Sequence, residues 1–245
     1  MRLLLCGSFL ALGFAVATAQ DKPDDLVKAA IAAAGGAEAL GKYPAGRVVG
    51  KGTMTVGGNE TPFVFEHAYH VPGRFRTQVN CAAQGQQWEL LQVVDGATAK
   101  QKINGRVVPI TEAGVRELQL AVLLNEIAQL SPLAADRRFT LKPDKQLKGP
   151  DASGLLVQVR GYPELRLAFD RRAGHMVRIA HKSTDPETGK ETDLETTFSD
   201  FKDVSGLAKA MRSVVTRDGR KVAELVIEKF TLLEKIDPAA FALGE

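Results

Sequence analysis

Residues 74–81 read Arg-Phe-Arg-Thr-Gln-Val-Asn-Cys. Phe75, Thr77, Val79 and Cys81 fall on one side of a strand, and Arg74, Arg76, Gln78 and Asn80 fall on the other. Successive strand residues point to opposite faces, so this segment buries one side and wets the other, as in an antiparallel sheet covered on a single face. The same alternation recurs along most of the chain. Thr61 to Val71 puts Phe63, Phe65, His67 and Tyr69 together; Trp88, Leu90 and Val94 share a side; Leu165, Leu167 and Phe169 share another. Glycine-containing turns separate these runs, including Gly57-Gly58-Asn59, Pro72-Gly73, Asp95-Gly96, Asn104-Gly105 and Asp218-Gly219. Strands at such regular spacing predict a meander of hairpins rather than crossover units.

Two features modulate that sheet. Gly50 and Gly52 share a face with Val48, Met54 and Val56 in the strand Arg47 to Val56, which removes bulk there and predicts a sharp curl or a close approach. Aromatic residues gather on neighbouring strands of the N-terminal half: Phe63, Phe65, Tyr69, Phe75 and Trp88.

The hydrophobic period changes twice. Asp24 or Asp25 is placed to cap a first helix with Leu26, Val27, Ala30 and Ile31 on its apolar side, ended by Gly35-Gly36. Thr111 to Leu130 follows the 3.6-residue repeat, with Leu120, Leu123, Leu124, Ile127 and Leu130 in one stripe, widened by Val115, Leu118 and Val122, and Ser131-Pro132 as the stop. A helix apolar over so much of its circumference is covered on more than one side, or covers something removable.

At the N-terminus, Arg2, the apolar stretch Leu3 to Val16 and Ala17-Thr18-Ala19 have the layout of a cleaved secretion signal, residues 1–19. The competing reading is an uncleaved anchor, but the stretch is short for that, and nothing later approaches ~20 consecutive apolar residues. A lipid on Cys6 fits poorly after Leu5. Residues 20–245 are expected to form a single domain outside the cytoplasm: in the periplasm, or secreted where there is no outer membrane. Cys81 is then the sole cysteine, best placed as an inert core thiol.

Charge and motifs narrow the function classes. The 32 basic and 29 acidic residues give a net charge of +3, without the basic stripe that nucleic-acid binding needs. No zinc-protease, nucleophile-elbow or phosphate-loop motif occurs. Gly50-Lys51-Gly52 lies within a strand and opens no helix. His67 and His70, three apart on a strand, point to opposite faces, which argues against shared metal ligation. The acidic group Asp185, Glu187, Glu191, Asp193 and Glu195 reads as a wet strand face without calcium-loop spacing. Neither an enzyme, a cofactor nor a metal is expected.

The C-terminal half carries a resemblance. Leu165 to Asp170, a turn with Gly174, Val177-Arg178-Ile179, and Thr197-Phe198-Ser199-Asp200-Phe201-Lys202-Asp203-Val204-Ser205-Gly206-Leu207 follow a recognisable order, completed by Arg217-Asp218-Gly219-Arg220-Lys221 and Ile236-Asp237-Pro238-Ala239-Ala240-Phe241. Over roughly residues 160 to 242 this resembles the outer-membrane lipoprotein-sorting, or LolA-like, family. Relatives often carry a proline after the Gly-Leu of the late motif, where this chain has Ala208-Lys209-Ala210-Met211. The resemblance implies a mainly β fold with α: a curved antiparallel sheet, an incomplete β-barrel, covered on its concave face by helices. It also implies a lipid or lipoprotein carrier with an acylated lipoprotein or phospholipid as ligand, and transient envelope proteins as further partners. The ligand wall expected from sequence is Phe63, Phe65, Phe75 and Trp88 from the strands, with Leu120, Leu123, Leu124 and Ile127 from the helix. The alternatives are a structural or interaction protein with a filled core, and a hydrolase with an unrecognised site.

Overall fold

The protein is described from a computed structural model over residues 22–83, 85–147, 151–184 and 189–244. The secretion signal expected at residues 1–19, and Asp185 and Glu187, lie outside the described residues.

Two short helices, α1 (Pro23–Ala33) and α2 (Ala37–Lys42), precede six strands: β1 (Ala45–Val56), β2 (Asn59–His70), β3 (Arg74–Ala83), β4 (Gln86–Asp95), β5 (Thr98–Ile103) and β6 (Arg106–Val107). Helices α3 (Glu112–Ala128) and α4 (Ser131–Ala135) follow. Seven further strands complete the sheet: β7 (Thr140–Pro143), β8 (Ala152–Gln158), β9 (Leu165–Asp170), β10 (Met176–Thr184), β11 (Glu191–Val204), β12 (Leu207–Arg217) and β13 (Arg220–Leu233). Among the described residues these thirteen strands form one open antiparallel sheet in the order β6-β5-β4-β3-β2-β1-β13-β12-β11-β10-β9-β8-β7. This is the antiparallel sheet expected from the alternation, in the open, curved form that the resemblance implies.

The strand order constrains the helices. Every strand pairs with its neighbours in sequence except β6 and β7, and β1 and β13, the first and last strands, pair with each other in the middle of the sheet. Strands β6 and β7, the two outer edges, are joined only through α3 and α4. That connection therefore has to traverse the sheet from edge to edge, and it does so on the concave side.

Several local expectations shift. The cap of α1 is Lys22, and Pro23 opens the helix without a side-chain cap. Asp24 and Asp25 lie inside the first turn, where their charge favours the positive helix end. Thr111 caps α3 by accepting from the Gly114 N–H at 3.1 Å. The stop of α3 is Leu130, at φ 61°; Ser131-Pro132 instead begins α4, because proline is tolerated in a first helical turn. After the Asn104-Gly105 turn, the returning strand β6 pairs only at Arg106–Val107.

The glycines of β1 show what curls the sheet. Gly46, Gly50 and Gly52 sit directly opposite Tyr69, Phe65 and Phe63 of β2. A methyl group on Gly50 would lie 2.7 Å from the Phe65 ring, and one on Gly52 2.8 Å from the Phe63 ring. The rings fold down over the bare backbone, the cross-strand compensation that lets an aromatic stabilise a glycine kink. The register between β1 and β13 also slips between Val49 and Gly50, a bulge that sharpens the bend at the same place.

Candidate functional site

The concave face of the sheet is built of rows that run across the strands. One row passes Phe198, Ser213, Leu225, Gly52, Phe63, Cys81 and Trp88, each opposite the next on the neighbouring strand. Another runs Gly46, Tyr69, Phe75 and Val94. Between these rows and the helices lies a cavity of about 420 Å³. Its apolar wall includes Val48, Phe63, Phe65, Phe75, Val79, Phe198 and Ile227.

Phe63, Phe65 and Phe75 thus line the cavity, whereas the other five residues of the expected wall do not. Trp88 is in the same row as Phe63 but stands at its outer end and is 44% exposed. Leu120, Leu123 and Ile127 are buried away from the cavity, and half-buried Leu124 joins them, in a cluster with Leu155, Leu165, Leu167 and Phe169 of the C-terminal strands and Leu26, Val27 and Ile31 of α1. Leu118 and Val122, on another side of α3, pack with Phe75 and Val94. The helix is apolar over a wide arc because it is covered on more than one side. What α3 and its C-terminal end present to the cavity is Asn125, Ala128, Gln129 and Leu130, the last the one member of the expected apolar stripe to reach it.

Polar anchors hold α3 in that orientation. Glu126 is buried; its Oε1 accepts the Gly73 N–H at 3.0 Å and its Oε2 accepts from Arg138 Nη2 at 2.9 Å. Arg138 is fixed in turn by Asp136, 2.7 Å from its Nε; the Arg138 backbone N–H, with this pairing, holds Asp136 below its ordinary pKa, and the Asp136 carboxylate holds Arg138 above its own. Gln119 Nε2 donates to the Gly96 carbonyl at 3.0 Å, and the Gly96 N–H donates to Gly73 at 3.0 Å. Two hairpin turns therefore grip each other and the helix.

Polar groups within the cavity form two sets. His67 Nε2 lies 3.1 Å from Asn125 Oδ1, whose amide nitrogen donates to the Ala121 carbonyl, so the imidazole is the donor. Burial lowers the His67 pKa to about 4, and the hydrogen bond to Asn125 opposes that only in part, so the ring is neutral at pH 7. The second set is Lys209, Gln129 and Tyr69. Lys209 is 8% exposed, donates from Nζ to Gln129 Oε1 at 3.0 Å, and sits 5.6 Å from the Phe230 ring centroid. Burial lowers its ammonium pKa to about 8. The Tyr69 hydroxyl, also buried, makes no well-formed hydrogen bond, although Gln129 is near enough to oppose the rise that burial imposes on the phenol.

The first set could be anticipated only in part, since His67 was visible on the aromatic face but Asn125 was not distinguished from the rest of its helix. Lys209 was missed. β12 starts at Leu207, so the Ala208-Lys209-Ala210-Met211 stretch is strand, and Leu207, Lys209, Met211 and Ser213 alternate on one face. A lysine between buried Leu207 and buried Met211 was the available signal. Among the described residues no group of three or more His, Cys, Asp or Glu could hold a metal ion. Glu191 and Asp193 pair with Lys182, and Glu195 with Arg178.

An incomplete barrel with helices across its hollow and an apolar cavity beneath them defines the LolA-like fold, and solved structures agree. Similar folds are a LolA superfamily protein from Nitrosomonas europaea, 10% identical, covering 90% of this chain and 97% of that one with a TM-score of 0.56, and a DUF1329 family protein from Desulfovibrio piger, 8% identical, covering 91% and 98% with a TM-score of 0.56. A domain assigned to an outer membrane lipoprotein-sorting protein from Vibrio parahaemolyticus is 10% identical over 89% of this chain and 95% of that one, with a TM-score of 0.52. No protein-family model and no curated protein matches the sequence.

Proposed function

We propose that the protein is an exported, non-catalytic carrier that encloses an acyl chain of a lipid or lipoprotein. The observation that carries this reading is the cavity of about 420 Å³, lined by aromatic and branched aliphatic side chains and closed over in part by Asn125 and Gln129 at the end of α3. Its size falls among small-molecule pockets, which run from roughly 300 to 1,000 Å³. Each methylene moved from water into such a site contributes ~0.8 kcal/mol, so even partial enclosure of one chain supplies useful affinity. The LolA-like fold is the second support. No helix among the described residues is long and apolar enough to cross a membrane, and a periplasmic location follows from the secretion signal read in the sequence.

The test is purification of the exported protein without detergent, extraction with organic solvent, and mass spectrometry of the extract, with displacement of a fluorescent fatty acid by phospholipid or acylated peptide in parallel. A co-purified or competing acylated molecule is expected. If neither is found, the interaction-protein reading takes its place. That second reading has its own observation: Val64 is 54% and Val226 37% exposed on either side of Lys51 on the outer face of the sheet.

A further inference from the structure

A buried ammonium in an apolar cavity needs a reason. Charged groups are rarely buried without a partner, because water solvates them far better than hydrocarbon does. Among the described residues no carboxylate lies within ion-pair distance of Lys209, and desolvation is the one influence on its pKa. Its protein partner is neutral: Gln129 Oε1. Gln129 also occupies the C-cap of α3, where the negative end of the helix dipole favours a cation. That explains how the lysine is tolerated, but not why the donors around it are left over.

The donor inventory points one way. With one N–H of Lys209 given to Gln129, two remain; Gln129 has spent its oxygen and its amide lies near the Tyr69 oxygen, while the buried Tyr69 O–H donates no well-formed hydrogen bond of its own. Lysine, amide and phenol all border the cavity and offer donors with no anionic acceptor among the described residues. They lie at one end of it. Tyr69 is six residues along β2 from Phe63, so the aromatic floor runs ~20 Å from the donor cluster toward the rim row that ends at Trp88.

We propose that Lys209, Gln129 and Tyr69 bind the carboxylate of a long-chain fatty acid or of an equivalent single-chain amphiphile, head inward, with its chain lying along Phe65 and Phe63 toward the rim. This rests on the carrier reading and specifies its ligand class. A carboxylate suits the cluster better than a phosphate monoester, because a single cation with two neutral donors matches one negative charge on two oxygens.

Competition against a fluorescent fatty-acid probe, with palmitate, hexadecanol and palmitoyl lysophosphatidate as competitors, tests it on the full exported chain and on Lys209→Met and Lys209→Gln. Palmitate is expected to compete at least ~10-fold better than hexadecanol with the wild type, the worth of a charge-assisted hydrogen bond. In both variants that preference should collapse to within about twofold while hexadecanol affinity stays, with thermal melts confirming that each variant is folded. A palmitate preference unchanged by both substitutions would mean that Lys209 only caps α3, and it overturns the proposal while leaving the carrier reading intact. Lysophosphatidate competing better than palmitate, with the same dependence on Lys209, overturns the carboxylate assignment. If no competitor or probe binds the wild type, the carrier reading falls too.

Discussion

The two arms of the sheet use the same covering elements and finish differently. In the C-terminal arm, Leu155, Val157, Leu165 and Leu167 are at most 1% exposed and meet Leu123, Ile127 and the apolar side of α1. In the central and N-terminal arm, Phe63, Phe65, Phe75, Val79 and Phe198 look into open volume. The difference lies in shape as much as in hydrophobicity. Aliphatic side chains interdigitate with an aliphatic helix to the density of a protein interior. Over β1 the large rings fold down onto Gly46, Gly50 and Gly52, which flattens the floor, and the helix end above shows it two amides, an alanine and a single leucine, Leu130. One arm supplies stability and the other leaves room.

The contrast can be broken by substitution, beginning with the filled arm. Leu167→Ala removes a fully packed side chain and is expected to cost ~4 kcal/mol in urea unfolding, against less than ~1.5 kcal/mol for Val79→Ala on the cavity wall. Equal costs would mean that the two arms are packed alike. Glu126→Ala is next, at ~3 kcal/mol, since it leaves the Gly73 N–H and Arg138 without their shared carboxylate and loosens α3 from the hairpin turns. Its ligand exchange should also quicken.

Lys209→Met sharpens the comparison with the opposite sign. The shift of the ammonium from 10.5 to about 8 corresponds to ~3 kcal/mol of desolvation, and the lost hydrogen bond to Gln129 returns ~1 kcal/mol of that, so the variant should be ~2 kcal/mol more stable. A destabilised variant would make Lys209 a structural residue.

The smallest effect is acid sensitivity from the cavity wall. His67 has a folded pKa of about 4, below the unfolded 6.5, so the unfolded chain binds the extra proton. Its stabilising contribution is whole above pH 6.5 and drains away as pH falls toward 4, ~1 kcal/mol being lost between about pH 7 and about pH 5.5. His67→Asn should flatten that part of the stability profile.

The residues that could be read in advance share a physical character. Alternation in Phe75 to Cys81 and in Leu165 to Phe169 located strands and their buried sides, because a period of two leaves one solution when one face is wet. Gly50 and Gly52 announced the curl for the same local reason. Helix α3 was different: apolar on several sides, it offered no preferred direction, and Leu123 or Gln129 could equally have faced the cavity.

Local pattern thus determined most of the strands, the hairpin meander and the helix over Thr111 to Leu130, since each follows from backbone periodicity and turn chemistry; the pairing of β1 with β13, and with it the edge-to-edge path of α3 and α4, did not. The tertiary structure alone decided which arm was filled, which side of α3 closed over the hollow, and that Lys209, Gln129 and Tyr69 would meet there. Those three come from β12, the C-cap of α3 and β2. Residues so far apart in sequence become neighbours only through the curvature of a thirteen-stranded sheet, a sum of many small twists that no single segment encodes.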